Sequence, residues 1–155
     1  MKSREKSTRG RVAPNTAIEL GAALRLAAAF SAACGDLPNT MSEGNPPGRV
    51  FHRWTLPFAP AAGITPAELA AALKVGPPRH VDLATVTTEF DLDPADWGEE
   101  TALGFKLLIE MMRATLGELY LAWVRGGASA SVPTYLFGRL AGGPLAGLRV
   151  VTVET

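Results

Sequence analysis

The sequence predicts a small α+β protein, or a small α/β protein, with a three-stranded sheet, helices mainly on one face and one long apolar helix. Two observations support this fold class. Segments rich in β-branched and aromatic residues alternate with segments that carry helix caps, and one helical segment is unusually long. With 155 residues, 47% of them hydrophobic, the chain can bury a single core. Because helices connect successive strands, parallel neighbours with right-handed crossovers are allowed.

The N-terminal part of the chain divides into a tail and a helical segment. Residues 1–15 are polar and basic, and they are predicted to form a disordered tail. Residues 16–35 are rich in alanine, and Thr16 and Glu19 have the spacing of a capping box, so an additional N-terminal helix is predicted there.

The same Ala-rich segment also resembles a secretory leader or a lipoprotein signal that ends before Cys34. Arg25 shortens its apolar run, and Ser31 stands where a lipobox prefers leucine. We therefore expect a cytoplasmic protein, with export or lipid anchoring through Cys34 as the alternative.

A linker and a folded domain follow. Residues 36–48 are rich in proline, glycine, asparagine and serine, which is typical of a linker. Residues 49–155 then form a single α+β domain. Because the upstream part adds no pattern that this domain requires, a chain that starts at Met41 is an equally good interpretation.

Within the domain, three strands and two shorter helices are predicted. Residues 49–56 alternate in polarity, residues 81–92 are rich in β-branched residues, and residues 148–154 form a final strand. A capping box at Thr65–Glu68 begins one helix. A second, short helix is predicted over residues 131–140.

The long apolar helix is predicted over residues 93–127, with Asp93 and Pro94 at its start and Gly126 after its end. A straight helix from Pro94 to Arg125 spans about 48 Å, whereas a domain of this size is about 35 Å across. The helix therefore bends, or starts late, with its glycines as weak points, or a second subunit covers the excess. Its charged side chains exclude a membrane span.

One side of this helix is polar and the rest is apolar. Lys106, Glu110 and Arg113 recur at spacings of four and three and share a face. Leu116 and Leu119 lie away from that face and are predicted to be buried. Because the apolar surface is wider than a single sheet face covers, a homo-oligomer or a protein partner is expected.

Charge and cysteine content restrict the class of protein. Residues 1–13 carry five basic side chains and one acidic side chain, a net charge of +4, so the remainder of this neutral chain carries −4. An acidic body argues against nucleic acid as a partner. The lone Cys34 excludes an intramolecular disulfide and a cysteine-based zinc site.

The candidate catalytic residues are His52, His80 and Asp82. His80 and Asp82 are two residues apart on a predicted strand and share a face, where a carboxylate can tune an imidazole as a general base. The acidic run at residues 89–100 fails the EF-hand pattern, and the glycine-rich stretches lack phosphate-loop spacing. No metal site and no cofactor are predicted.

The expected function is that of a non-catalytic binding or interaction protein, which associates with itself or docks a partner through the apolar helix. The alternative is a small enzyme, or a carrier, that binds an apolar small molecule in a pocket between helix and sheet. The residues predicted to bind are Trp54, Phe105, Met112, Tyr120 and Trp123.

Overall fold

The structure is a computed structural model that describes residues 14–44, 49–57, 63–140 and 143–154, with side chains described from Leu20 onward. The predicted tail, residues 1–15, lies almost wholly outside the described residues. The elements are, in chain order, α1 (Pro14–Cys34), β1 (His52–Leu56), α2 (Pro66–Leu73), β2 (His80–Thr85), α3 (Pro94–Trp97), α4 (Glu99–Leu116), β3 (Tyr120–Arg125), β4 (Ser131–Arg139) and β5 (Leu145–Val153).

The described strands form one five-stranded antiparallel sheet in the order β1-β5-β4-β3-β2. The prediction of three strands is therefore wrong, although an α+β class is compatible with the observed fold. No described neighbours are parallel, because hairpins rather than helices connect β3, β4 and β5. The two additional strands, β3 and β4, lie in segments that were predicted to be helical.

Helices cover both faces of the sheet. Leu136 and Leu148 lie in one core cluster with residues of α1 and α4. Val81 and Phe137 lie in a second cluster with Leu69 of α2. Since successive strand residues point to opposite faces, α1 and α4 cover one face and α2 covers the other. These are called the α1/α4 face and the α2 face below.

Two glycines interrupt the helix that was predicted over residues 93–127. Gly98 has a φ of 89° between α3 and α4, and Gly117 has a φ of 77° after Leu116. Such values favour glycine, and each ends a run of helical backbone. The 18 residues of α4 span about 27 Å. A helix of this length fits inside the domain, so the mismatch that suggested an oligomer disappears.

The strands β3 and β4 resemble buried helix in sequence because they are buried on both faces. In β4, residues 134–138 are all buried, so no alternation in polarity marks them as a strand. Pro133, in the segment predicted to be helical, lies one residue beyond the last pair of the β3–β4 ladder, Trp123 with Thr134, and pairs with Val151 of β5. At the end of a ladder the missing N–H of proline is tolerated.

The N-terminal helix is part of the core. Ala23, Ala27 and Phe30 of α1 are fully buried or nearly so, and Ala23 and Phe30 belong to the core cluster on the α1/α4 face. The segment after α1 is packed as well, because Leu37 lies against Gly104 of α4. The first half of the predicted linker therefore contacts the core, and residues 45–48 lie outside the described part of the chain.

A buried chain of hydroxyl groups ties this segment to the end of the sheet. The Asn39 side-chain amide donates to Thr152 Oγ1 over 2.9 Å, and Thr152 Oγ1 lies 2.9 Å from Thr134 Oγ1. Thr134 Oγ1 in turn donates to the Val132 carbonyl over 3.0 Å. All three side chains are buried, and each finds a partner, as buried polar groups require.

Candidate functional site

Two of the three candidate catalytic residues meet at one corner of the sheet. His80 Nε2 lies 3.4 Å from Asp82 Oδ1, as their shared face on β2 predicted. Arg125 of β3 donates to Asp82 Oδ2 over 2.9 Å and forms a two-point ion pair with Glu154, with distances of 2.7 Å and 3.0 Å. Its guanidinium lies 4.9 Å from the centre of the Trp123 ring. Arg125 thus connects β2, β3 and the residue after β5.

The ion pairs hold both carboxylates in their charged state. Hydrogen bonds from Arg125 lower the pKa of Asp82 and the pKa of Glu154. The hydrogen bond to Glu154 in turn raises the pKa of Arg125. A carboxylate whose charge is stabilised by an arginine is a poor proton acceptor.

The third candidate, His52, is far from the other two. It lies on the other edge strand, β1, roughly 19 Å away at about 4.8 Å per strand spacing. Catalysis by these residues stays a prediction, and none of the three lies in an enclosed cavity together with the other two.

The ion pairs of Arg125 with Asp82 and Glu154 should make the free energy of unfolding depend on pH in the acid range. Asp82 and Glu154 have lower pKa values in the folded protein than in the unfolded chain, where the values are 3.8 and 4.5. Their contribution to the free energy of unfolding is therefore complete above these unfolded pKa values. It is lost as the pH falls through the folded pKa values. We expect Arg125→Gln to reduce the loss of stability between about pH 6 and about pH 3 in urea titrations. Arg79→Gln removes a nearby exposed charge and is the control. Equal acid sensitivity in both variants would contradict the assignment.

The five residues that were predicted to bind do not share one surface. Phe105 and Met112 are fully buried between α4 and the sheet. Trp54 and Tyr120 lie on the α2 face, where each ring packs on Phe137 with centres 5.6 Å apart. Trp123 lies partly exposed beside Arg125. Phe105 and Met112 are therefore core residues, and contact with a partner would require the domain to open.

The apolar surface that α4 leaves open consists of two other residues. Leu103 and Leu107 are each 55% exposed, and one turn of helix separates them. At 100° per residue they point away from Phe105 and Met112, which face the sheet. Their spacing of four was visible in the sequence, but the continuous apolar helix concealed which side the sheet would cover.

A groove of about 680 Å³ runs beside this surface. It lies between α4 and residues 90–94, and we call it the α4 groove. Its apolar lining is Phe90, Leu92, Pro94, Ala102, Leu103 and Ile109, and its charged lining is Asp91, Asp93, Glu99, Glu110, Lys106 and Arg113. The polar side of α4 predicted from sequence thus forms one wall of the groove rather than an isolated solvated stripe.

Hydrogen bonds hold the wall opposite α4 in place. Arg113 of α4 donates to the Val86 carbonyl over 3.1 Å, and the Val86 amide donates to the Leu119 carbonyl over 2.9 Å. Asp93 caps α3 by accepting from the Ala95 amide over 2.9 Å. These bonds fix the chain shortly before residues 90–94 and at Asp93, within the wall that faces α4.

A second, basic cleft of about 520 Å³ lies between α1 and the edge strand β1. We call it the β1 cleft, and its lining is Ala28, Ser31, Ala32, Arg49, His52 and Arg53. Arg49 donates to the Ser31 carbonyl, and the Ser31 hydroxyl donates to the Phe51 carbonyl over 3.2 Å. These bonds fasten α1 to the chain that enters β1.

The lone cysteine and the possible metal ligands are two further kinds of chemically reactive group among the described residues. Cys34 is buried, and burial raises the pKa of its thiol to about 12. Among the residues that the structure describes, no three His, Cys, Asp or Glu side chains are placed to hold a metal ion. No helix in the described part of the chain has the length and apolar character to cross a membrane. No protein-family model matches the chain, and a search of curated proteins also finds no match.

Proposed function

We propose that this is a non-catalytic interaction protein that docks a partner on Leu103, Leu107 and the adjoining α4 groove. The exposure of the two leucines supports this most directly. Each leaves more than half of its side chain in water on a helix whose opposite side is fully buried. Exposed apolar surface beside a groove is a common mark of a protein interface.

Charge complementarity indicates the chemistry of the partner. Four carboxylates and two basic groups line the groove, a net charge of −2. One of the basic groups, Arg113, already donates to the Val86 carbonyl. The surface therefore favours an aliphatic side chain flanked by lysine or arginine. A pairing of two copies through this groove is disfavoured, because it would bring together two surfaces that each carry a net charge of −2.

The test uses a synthetic helical peptide with leucines four residues apart and lysines on both sides of them. We expect the wild-type protein to bind it in a fluorescence anisotropy titration. The double variant Leu103→Glu/Leu107→Glu should weaken binding roughly tenfold or more, as expected for a loss of central apolar contacts. Leu24→Glu changes a leucine of similar exposure, 49%, on α1, and it should bind like the wild type.

Three results would contradict this assignment. The double variant binding as tightly as the Leu24→Glu control would exclude this face. Equal affinity for a peptide with glutamate in place of lysine would remove the charge argument. A wild-type dimer in sedimentation that the double variant dissociates would assign the face to a second copy of the chain.

A carrier of an apolar small molecule is the second candidate, since about 680 Å³ lies within the usual range for ligand pockets, roughly 300 to 1,000 Å³. Decanoate and decanol are suitable probes, because they share a chain and differ in charge. If either bound to the wild type with a higher affinity than the lysine peptide and displaced it, the carrier function would replace the docking function.

A further inference from the structure

Among the described strands, β1 has a partner on one side only, and its other side faces away from β5. The sheet order places β1 at one end, where its only described strand partner is β5. Half of the backbone N–H and C=O groups of an edge strand therefore point outward and are available to another chain. The β1 cleft lies against this strand, whereas neither described cleft is lined by β2, the other edge.

Small side chains leave room beside the edge. The wall that α1 contributes to the cleft consists of Ala28, Ser31 and Ala32. A strand added at the usual spacing lies about 4.8 Å from β1, and one of its faces would meet these small residues. The hydrogen bonds of Ser31 to Arg49 and Phe51 keep the wall in place without the added strand.

The charge of the edge selects the occupant. Among the described residues, the lining contains Arg49, His52 and Arg53 and no carboxylate. His52 and Arg53 are adjacent in β1, so they point to opposite faces of the sheet, and both are exposed. An added strand would thus meet a basic group on either face. Antiparallel pairing of two β1 strands is disfavoured, because like charges would come close across the new ladder.

We propose that the β1 edge and the β1 cleft bind an extended acidic segment of another protein as a sixth strand of the sheet. Backbone hydrogen bonds to β1 supply affinity, and Arg53 and His52 select carboxylate-bearing side chains. The surface shares no lining residue with the α4 groove, so this site does not depend on the function proposed for that groove.

The test uses a synthetic peptide of alternating glutamate and valine, a counterpart with lysine in place of glutamate, and a form with N-methylated backbone amides. We expect the wild-type protein to bind the glutamate peptide, and the bound peptide to protect from hydrogen exchange those amides of residues 52–56 that point away from β5. The lysine and N-methylated peptides should bind roughly tenfold more weakly or worse.

Variants separate this edge from other surfaces. Arg53→Glu should weaken binding of the glutamate peptide roughly tenfold, whereas Arg79→Glu, a charge reversal beside the opposite edge strand, and Leu107→Glu, on the exposed side of α4, should not. Equal binding of the N-methylated peptide would exclude strand addition. An unchanged affinity in Arg53→Glu would exclude the edge, and a dimer that Arg53→Glu dissociates would assign it to a second copy.

Discussion

A chain that starts at Met41 should fail to form the cooperative native state, because it lacks α1. The missing residues include Ala23, Ala27 and Phe30, which are at most 1% exposed in the core. Truncating one buried phenylalanine to alanine costs about 3 to 5 kcal/mol, and whole domains are stable by only about 5 to 15 kcal/mol. Removal of the helix deletes Phe30 and the two buried alanines at once, and it exposes the part of the sheet that α1 covers.

The measurement is a urea titration followed by circular dichroism, with three matched chains. Deletion of residues 2–13 should leave the midpoint nearly unchanged, as predicted for a polar tail. Phe30→Ala should lower the free energy of unfolding by about 3 to 5 kcal/mol. Leu24→Ala, at an exposed position of α1, should lower it by less than about 1 kcal/mol. A truncated chain that unfolds with the wild-type midpoint would support Met41 as a sufficient start.

Truncating Leu116 or Leu119 to alanine should cost about 2 to 5 kcal/mol, because each leaves a cavity in the core. Their side chains are 7% and 1% exposed. Lys106→Ala should cost well under about 1 kcal/mol, since an exposed lysine loses little on truncation. Comparable losses at Leu116 and Lys106 in a urea titration would show that the polar wall of the α4 groove contributes to the core.

Some elements carry local signals in the sequence, such as a helix cap or alternating polarity, and these signals were sufficient to predict them. The capping box at Thr65 is present, since its hydroxyl accepts the Glu68 amide over 3.1 Å. Asp93 caps α3 as expected. Alternating polarity located β1 within residues 49–56, and β-branched residues located β2, although β2 ends at Thr85 and residues 86–92 of the predicted strand are not part of it. In each case a few neighbouring residues determine the local backbone, so no knowledge of the rest of the fold was needed.

The errors lie where burial erases the alternation. The run at residues 120–125 continues the apolar character of α4, and only Gly117, with its positive φ, marks the change from helix to strand. The sequence identified that glycine as a weak point of the helix, but a weak point predicts a bend as readily as an end. Packing on both faces of the sheet decides that the chain after Gly117 is a strand, and this packing depends on residues that are distant in the sequence.

The same distinction applies to the candidate sites. The spacing of His80 and Asp82 predicted a shared face, and the two side chains are close. Their arginine partner, Arg125, lies 43 residues from Asp82 along the chain. Only the pairing of β2 with β3 brings it near. Likewise, the exposed side of α4 is the side that the sheet does not bury. Which side the sheet buries depends on the order of the strands.

The order in which the chain is synthesised has a consequence here. The Asn39 side chain must meet Thr152, which lies 113 residues later, and β5 separates β1 from β4. Until β5 leaves the ribosome, β1 lacks its strand partner among the described strands, and α1 lacks one of the elements on which it packs. The pairing of β1 and the docking of Asn39 therefore follow the synthesis of β5, whereas β2, β3 and β4 are neighbours that can pair before it.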